Sequence, residues 1–265
     1  MQILNSQNFG GGGAQGFTLA EVLITLGIIG VVAAITMPSI VANIQDKQNI
    51  ARWKKAYSVI SQAHTQTVNE GYSLCSQSQY WGLACPDNVT LKQTFPNGGA
   101  YYNEFLYYSP SGVTSEYLDH FIGKFNGAKV CDTANKCKLY SNEIIPRTLS
   151  GGRILYYNMG GTKIKLSTGE LIIFGGSHGG PWLTVDVNGA ENGPNVLGKD
   201  IYVMKLYDNV VKPMGAYGTY KPSSNGDECL CGKEYGLKDA TYFAGAAGAG
   251  EVASGACCSA VYLSK

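Results

Sequence analysis

The hydrophobic positions divide the chain into stretches of different period. Residues 1–16 are polar, Gly-rich and uncharged. From Phe17 to Ala42 the sequence is apolar for 26 residues, with one charge, Glu21. As a helix that run is about 39 Å long, more than the roughly 30 Å of a hydrocarbon core. Gly27, Gly30, Ala33 and Ala34 recur in it at steps of three and four, a smooth face for close packing. Pro38 removes one backbone bond and is expected to loosen the helix near its exit. Past Ala42 the pattern turns amphipathic. Ile50, Trp53, Tyr57, Ile60, His64 and Thr67 form a stripe, with Arg52, Lys54, Lys55, Gln62 and Gln66 between them. That stripe predicts a helix face covered by a sheet, with His64 packed and hydrogen-bonded, and Gly71 as the stop.

Residues 72–150 show no sustained period and predict an irregular connection rich in Tyr, Ser, Asn and Gly. Strand signals follow at Arg153–Met159, Thr162–Leu166, Glu170–Phe174, Trp182–Val187 and Ile201–Tyr207, with Ser167-Thr168-Gly169 as a hairpin turn. They predict a meander of four or five antiparallel strands, one face of which covers the helix stripe. From Lys212 the tail is rich in turn residues. The expected fold class is α+β. The expected organisation is 1–16 leader, 17–42 membrane-spanning helix, 43–71 amphipathic helix, 72–150 connection, 151–211 sheet and 212–265 Cys-containing tail.

Composition sharpens this picture in two places. Lys+Arg at 20 against Asp+Glu at 19 leaves a net charge of +1. No basic excess or basic-aromatic patch is present to neutralise phosphates, so no nucleic-acid partner is expected. The eight cysteines are an even number and point to disulfides formed in an oxidising compartment. Eight cysteines allow 105 pairings. Local closure favours Cys75–Cys85 and Cys131–Cys137, and the vicinal Cys257 and Cys258 are expected to reach back to Cys229 and Cys231. A zinc site on those last four is the rival reading, although structural zinc prefers gaps of two to four residues within each pair.

The placement of the Gly-rich stretch matters. A secretory signal puts its small residues after the apolar run, whereas here they come before it. Glu21, at the fifth position after Gly16, would cost about 2.5–3.5 kcal/mol alone at the centre of a membrane helix. It either snorkels to the interface or pairs with a cation, which cleavage after Gly16 would create as the α-amino group of Phe17. Gly16-Phe17-Thr18-Leu19-Ala20-Glu21 followed by Val22-Leu23-Ile24 resembles the prepilin cleavage and methylation motif of type IV pilins and type II secretion pseudopilins. The resemblance implies that a prepilin peptidase cuts between Gly16 and Phe17 and methylates Phe17. It implies that Glu21 compensates the N-terminal charge of a neighbouring subunit, and that Pro38 is the family's helix-loosening proline. The leader departs from the family in lacking Lys or Arg. With Arg52, Lys54 and Lys55 beyond the span, the charge asymmetry runs against the positive-inside rule.

The resemblance further implies a pilin-like fold: a long helix on an antiparallel sheet with a disulfide-stapled tail. It implies a single pass through the bacterial inner membrane, an extracytoplasmic domain, and assembly into a periplasmic or surface filament. The implied partners are the peptidase, other pilin or pseudopilin subunits, inner-membrane assembly machinery and lipid. The alternative is a membrane-anchored binding or adhesion protein that never polymerises.

One loop carries candidate metal chemistry. Between two strand signals, residues 186–200 hold Asp186, Asn188, Glu191, Asn195 and Asp200 among Gly and Pro. Ca²⁺ takes six to eight oxygens from such groups, so these five are the candidate ligands. The spacing is not that of an EF-hand, and a loop closed by its own Asx turns is the competing reading. The loop is also similar to one found before the last strand of many pilin-like proteins. Catalysis is not expected. Ser177 and His178 are adjacent on a Gly-rich loop, which is not a triad, and no zinc-protease, P-loop or nucleophile-elbow motif occurs.

Overall fold

The computed structural model describes residues 16–72, 116–131, 137, 139–141, 143–154, 162–174, 182–206, 210–216, 219, 231–233, 238–239 and 253–264. It divides into two compact units, Met1–Gln45 and Asp46–Lys265. Helix α1, Leu19–Asn69, contributes residues to both. It ends as Gly71 predicts. Gly71 adopts φ 95°, its N–H donates to the Val68 carbonyl, and the Tyr72 N–H donates to the Thr67 carbonyl. This pair of bonds is the Schellman arrangement, which satisfies carbonyls the last turn would otherwise leave open.

In the second unit six strands form one antiparallel meander in chain order. They are β1 (Lys129–Val130), β2 (Lys163–Lys165), β3 (Leu171–Phe174), β4 (Trp182–Asp186), β5 (Ile201–Leu206) and β6 (Val211–Pro213). The sheet therefore extends past the expected 151–211 on both sides. β1 is two residues long, too short to register as a pattern. β6 ends in Pro213, which an edge strand tolerates because one side of its backbone makes no ladder bonds. Of the expected strand Arg153–Met159, Arg153 forms an isolated bridge to Arg147, and residues 155–159 lie outside the described set.

β3 and β4 are buried on both faces, and β3 is accordingly apolar at every position. Alternate residues serve two different cores. Ile172, Phe174, Leu183, Val185, Tyr202 and Met204 pack with Trp53, Ala56, Ile60 and Ala63 of α1. Leu171, Ile173, Trp182, Ile201 and Val203 pack with Tyr140, Ile154, Leu197, Met214, Ala253, Ala256 and Cys257. Trp53 stacks on Tyr202 with centroids 4.7 Å apart. A short helix, α2 (Glu116–Gly123), adds Tyr117 and Phe121 to the first core. The Tyr117 hydroxyl meets His64 Nδ1 at 2.7 Å, so His64 is the packed, hydrogen-bonded residue its place on the stripe predicted.

The tail is more integrated than its turn-rich composition suggested. Helix α3, Cys258–Ser264, begins at a fully buried cysteine. The carbonyl of Ser259 accepts from the Trp53 indole at 3.0 Å, and its hydroxyl accepts from the Val203 N–H at 2.9 Å. A Cβ on Gly255 would lie 2.2 Å from the Leu197 carbonyl oxygen, so only glycine lets the tail approach so closely. Disulfides join Cys131 to Cys137 and Cys231 to Cys258. Cys257 is also disulfide-bonded. The zinc reading fails here, because Cys231 and Cys258 are spent on each other. Cys75, Cys85 and Cys229 lie outside the described residues.

Candidate functional site

Two stretches carry the candidate residues, and the first is the start of α1. Gly16 and Phe17 precede the helix, and the Phe17 ring is 87% exposed. Thr18 is the N-cap. Its backbone N–H and its hydroxyl both donate to Glu21 Oε2, each at 2.8 Å, and the Glu21 N–H donates to the Thr18 hydroxyl at 3.3 Å. This reciprocal pair is a capping box. The T-x-x-E spacing from Thr18 to Glu21 is the sequence signature of this box. The box fixes the carboxylate beside the N–H groups of the first turn, four residues from Phe17.

From Val22 to Ile44 the large apolar side chains point outward around the whole helix. An 18-residue window of α1 reaches a mean hydropathy of 2.3 with none of it buried. The hydroxyls in the run make no demand on a solvent. Thr25 donates to the Val22 carbonyl, Thr36 to Val32 and Ser39 to Thr36, which is how hydroxyls are accommodated in hydrocarbon. α1 stays helical through Pro38. A Cβ built on Gly27 or Gly30 meets nothing within 4 Å, so both open onto free helix surface. Residues 13–37 match the model of the prokaryotic N-terminal methylation motif.

The chain carries a type IV pilin-like N-terminal signal.

The match contains Gly16, Phe17 and Glu21, and Pro38 stands one residue past its end. No curated protein and no solved structure matches the chain. The motif and the apolar helix fit a membrane-anchored, single-pass protein with a structural role.

The second stretch is the loop from Asp186, at the end of β4, to Asp200, just before β5. Asp186 is fully buried. Its Oδ1 accepts from the N–H groups of Asn188 (3.2 Å) and Gly189 (2.8 Å), and its Oδ2 accepts from the Tyr140 hydroxyl at 2.6 Å. Asp200, also fully buried, accepts from Asn195 N–H at 2.8 Å and Val196 N–H at 2.7 Å. Asn188 donates to the carbonyls of Asn192 and Gly193, and Asn195 donates to Ala190. The Gly193–Pro194 peptide is cis, and Asn195 sits in the left-handed region at φ 56°. Burial raises the Asp186 carboxyl to about 7, against the pull of the Tyr140 hydroxyl and with the charge of Asp200 adding to the rise. Burial likewise raises Asp200, against the two backbone donors.

The loop thus brings together Asp186, Asn188, Asn195 and Asp200. Glu191 turns elsewhere, to an ion pair with Lys165 at 3.0 Å. Two acceptors remain: Asn188 Oδ1 and Asn195 Oδ1 are buried without a hydrogen-bond partner. Among the described residues no three His, Cys, Asp or Glu side chains gather as a metal site. A cation here would depend on two carboxylates supplemented by amide oxygens, a hard-oxygen set of the kind Ca²⁺ accepts. Tyr140 was not anticipated. It lies in the stretch with no period, and only the tertiary fold brings it to Asp186. Ser177 and His178 lie outside the described residues.

Proposed function

We propose that this chain is a structural subunit of a type IV pilus or a type II secretion filament. It is held as a single-pass protein of the bacterial inner membrane, with the domain from Asp46 onward outside the cytoplasm. A prepilin peptidase cuts between Gly16 and Phe17 and methylates the new terminus. Assembly machinery then draws the apolar half of α1 out of lipid into a bundle with other subunits, in the periplasm or at the surface. The observation that carries this reading is the junction itself: a Gly-Phe bond, a Thr18–Glu21 capping box, and then an apolar helix exposed on every side. In the unassembled subunit the box gives Glu21 donors within its own chain, which lowers the cost of a carboxylate in lipid. A carboxylate oxygen accepts more than one hydrogen bond, so Glu21 can also receive the α-amino group of Phe17 from a neighbouring copy. Pro38 leaves a carbonyl without its helix partner near the end of the span, where bending eases entry into a bundle. A non-polymerising anchored binding protein is the alternative. Glu21→Ala should leave processing and insertion intact and deplete the chain from sheared filaments. Wild-type incorporation of the variant would remove the pairing role.

A second element of the proposal concerns the loop, and the unpartnered Asn188 and Asn195 oxygens favour it. Asp186, Asn188, Asn195 and Asp200 hold Ca²⁺, which neutralises two buried carboxylates and ties β4 to β5. Glu191 stays with Lys165 at the rim. Binding to the folded state alone raises stability by mass action. Millimolar Ca²⁺ should therefore raise the melting temperature over that in EGTA, and Asp200→Ala should abolish the difference. An unmoved melting temperature in the wild type would leave the loop as a self-closed Asx turn.

A further inference from the structure

Beyond the apolar span, α1 carries a run of positive charge. Lys47, Arg52, Lys54 and Lys55 are all exposed and follow Ala42 by 5 to 13 positions. Among the described residues none of them has an ion-pair partner. The acid beside them in sequence, Asp46, is half-buried and acts on Tyr202 and Tyr262, on the sheet side of the helix. The buried stripe on this part of α1 is Asn49, Trp53, Ala56 and Ile60, so Lys47, Lys54 and Lys55 lie on the face away from the sheet and Arg52 on its flank. At about 1.5 Å per residue along the helix, none of them is more than roughly 20 Å from the end of the span. Helical side chains lean toward the N-terminus, which directs these long stems back toward the span. A signal read only by topology would place such charges on the cytoplasmic side. Their position beyond the span calls for another partner.

We propose that Lys47, Arg52, Lys54 and Lys55 form a collar that binds anionic phospholipid headgroups of the leaflet through which α1 leaves the membrane. The occupant follows from charge complementarity and from continuity with the apolar span. Clustered cations beside a membrane segment bind anionic lipid through many weak contacts that salt screens. Lysine and arginine also lower their apolar stems into the interface while their heads stay among phosphates. The collar would hold the waiting subunit against the membrane and give up its lipid when the helix is extracted. This inference rests on the reading of residues 17–42 as a membrane span.

The full-length chain is reconstituted in vesicles of equimolar phosphatidylcholine and phosphatidylglycerol, and retained lipids are counted by native mass spectrometry. Wild type should retain phosphatidylglycerol over phosphatidylcholine by about fivefold, with the preference lost in 0.5 M salt. Lys47→Gln, Arg52→Gln, Lys54→Gln and Lys55→Gln together should bring the ratio to about one while the chain still floats with the vesicles. Lys47→Arg, Lys54→Arg and Lys55→Arg together should keep it. A wild-type ratio near one, or a preference that survives the four-fold glutamine variant, overturns the proposal. A variant with unchanged lipid preference but weakened self-crosslinking overturns it too, by assigning the cations to a second copy. Failure of wild type to float with vesicles of phosphatidylcholine alone would instead mark the failure of the span.

Discussion

The two halves of α1 obey opposite rules. In residues 46–69 one stripe is apolar, and Trp53, Ile60 and Ala63 on it are buried against the sheet. In residues 19–45 the apolar side chains circle the helix, and Leu23, Ile29 and Ile35 are each at least 60% exposed. The second half takes its stability from packing within its own chain. The first half has no such source. A helix apolar all round belongs in lipid or among other helices, and from Thr18 to Ala42 its backbone bonds, hydroxyl back-bonds and capping box meet the polar demands of those settings except at Pro38. The packed half folds this chain; the exposed half is what it offers to lipid or to other helices.

The largest expected effect lies in the packed half. Trp53→Ala removes the stack on Tyr202 and the bond to Ser259, and should cost the domain about 3–5 kcal/mol in denaturant unfolding. Ile29→Ala should leave that unfolding curve where it is and act only on membrane partition or assembly. A shared loss would dissolve the distinction between the halves. Next in size is Cys258→Ser. It breaks the bridge to Cys231 beside the Ser259 contacts and should cost about 2–4 kcal/mol in the domain, with the floating of the full chain on vesicles unaltered.

A pH titration of the chelated domain should show a smaller effect. The Asp186 carboxyl stands at about 7 in the folded protein against an ordinary value of 3.8. The folded state therefore binds more protons than the unfolded state between those values, and stability should fall as pH rises from about 4 to about 7. Asp186→Asn should flatten that slope, as read from melting temperatures across the range. The smallest effect belongs to Thr18→Ala. Loss of the N-cap should cost about 1 kcal/mol of local helix stability, visible as faster amide exchange over residues 19–22 in detergent and nowhere beyond Gln45.

Much of this architecture was legible in the sequence, for reasons the two halves illustrate. The stripe from Trp53 to Thr67 and the stop at Gly71 are local, periodic signals. The strands at 163–165, 171–174, 182–186 and 201–206 declared themselves as apolar runs between turn residues. β1 was hidden because two residues, one of them Lys129, make no pattern. β6 was hidden by Pro213, which ordinarily argues against a strand. In the loop, Asp186, Asn188, Asn195 and Asp200 were legible as clustered oxygens. The Tyr140 hydroxyl on Asp186 and the diversion of Glu191 to Lys165 depend on contacts across 46 and 26 residues of chain. The tail was misjudged for a related reason. Its glycines indicate turns, but Gly255 serves to bring buried Ala253 to Ser259 against Leu197 and Trp53.

The claim that the exposed half of α1 is an assembly element is tested most directly by the intact mass of the chain recovered from sheared filaments. The predicted species begins at a methylated Phe17, lighter than the full chain by the 16-residue leader. A chain that retains Met1, or a processed chain found in membranes and never in a filament fraction, would contradict it.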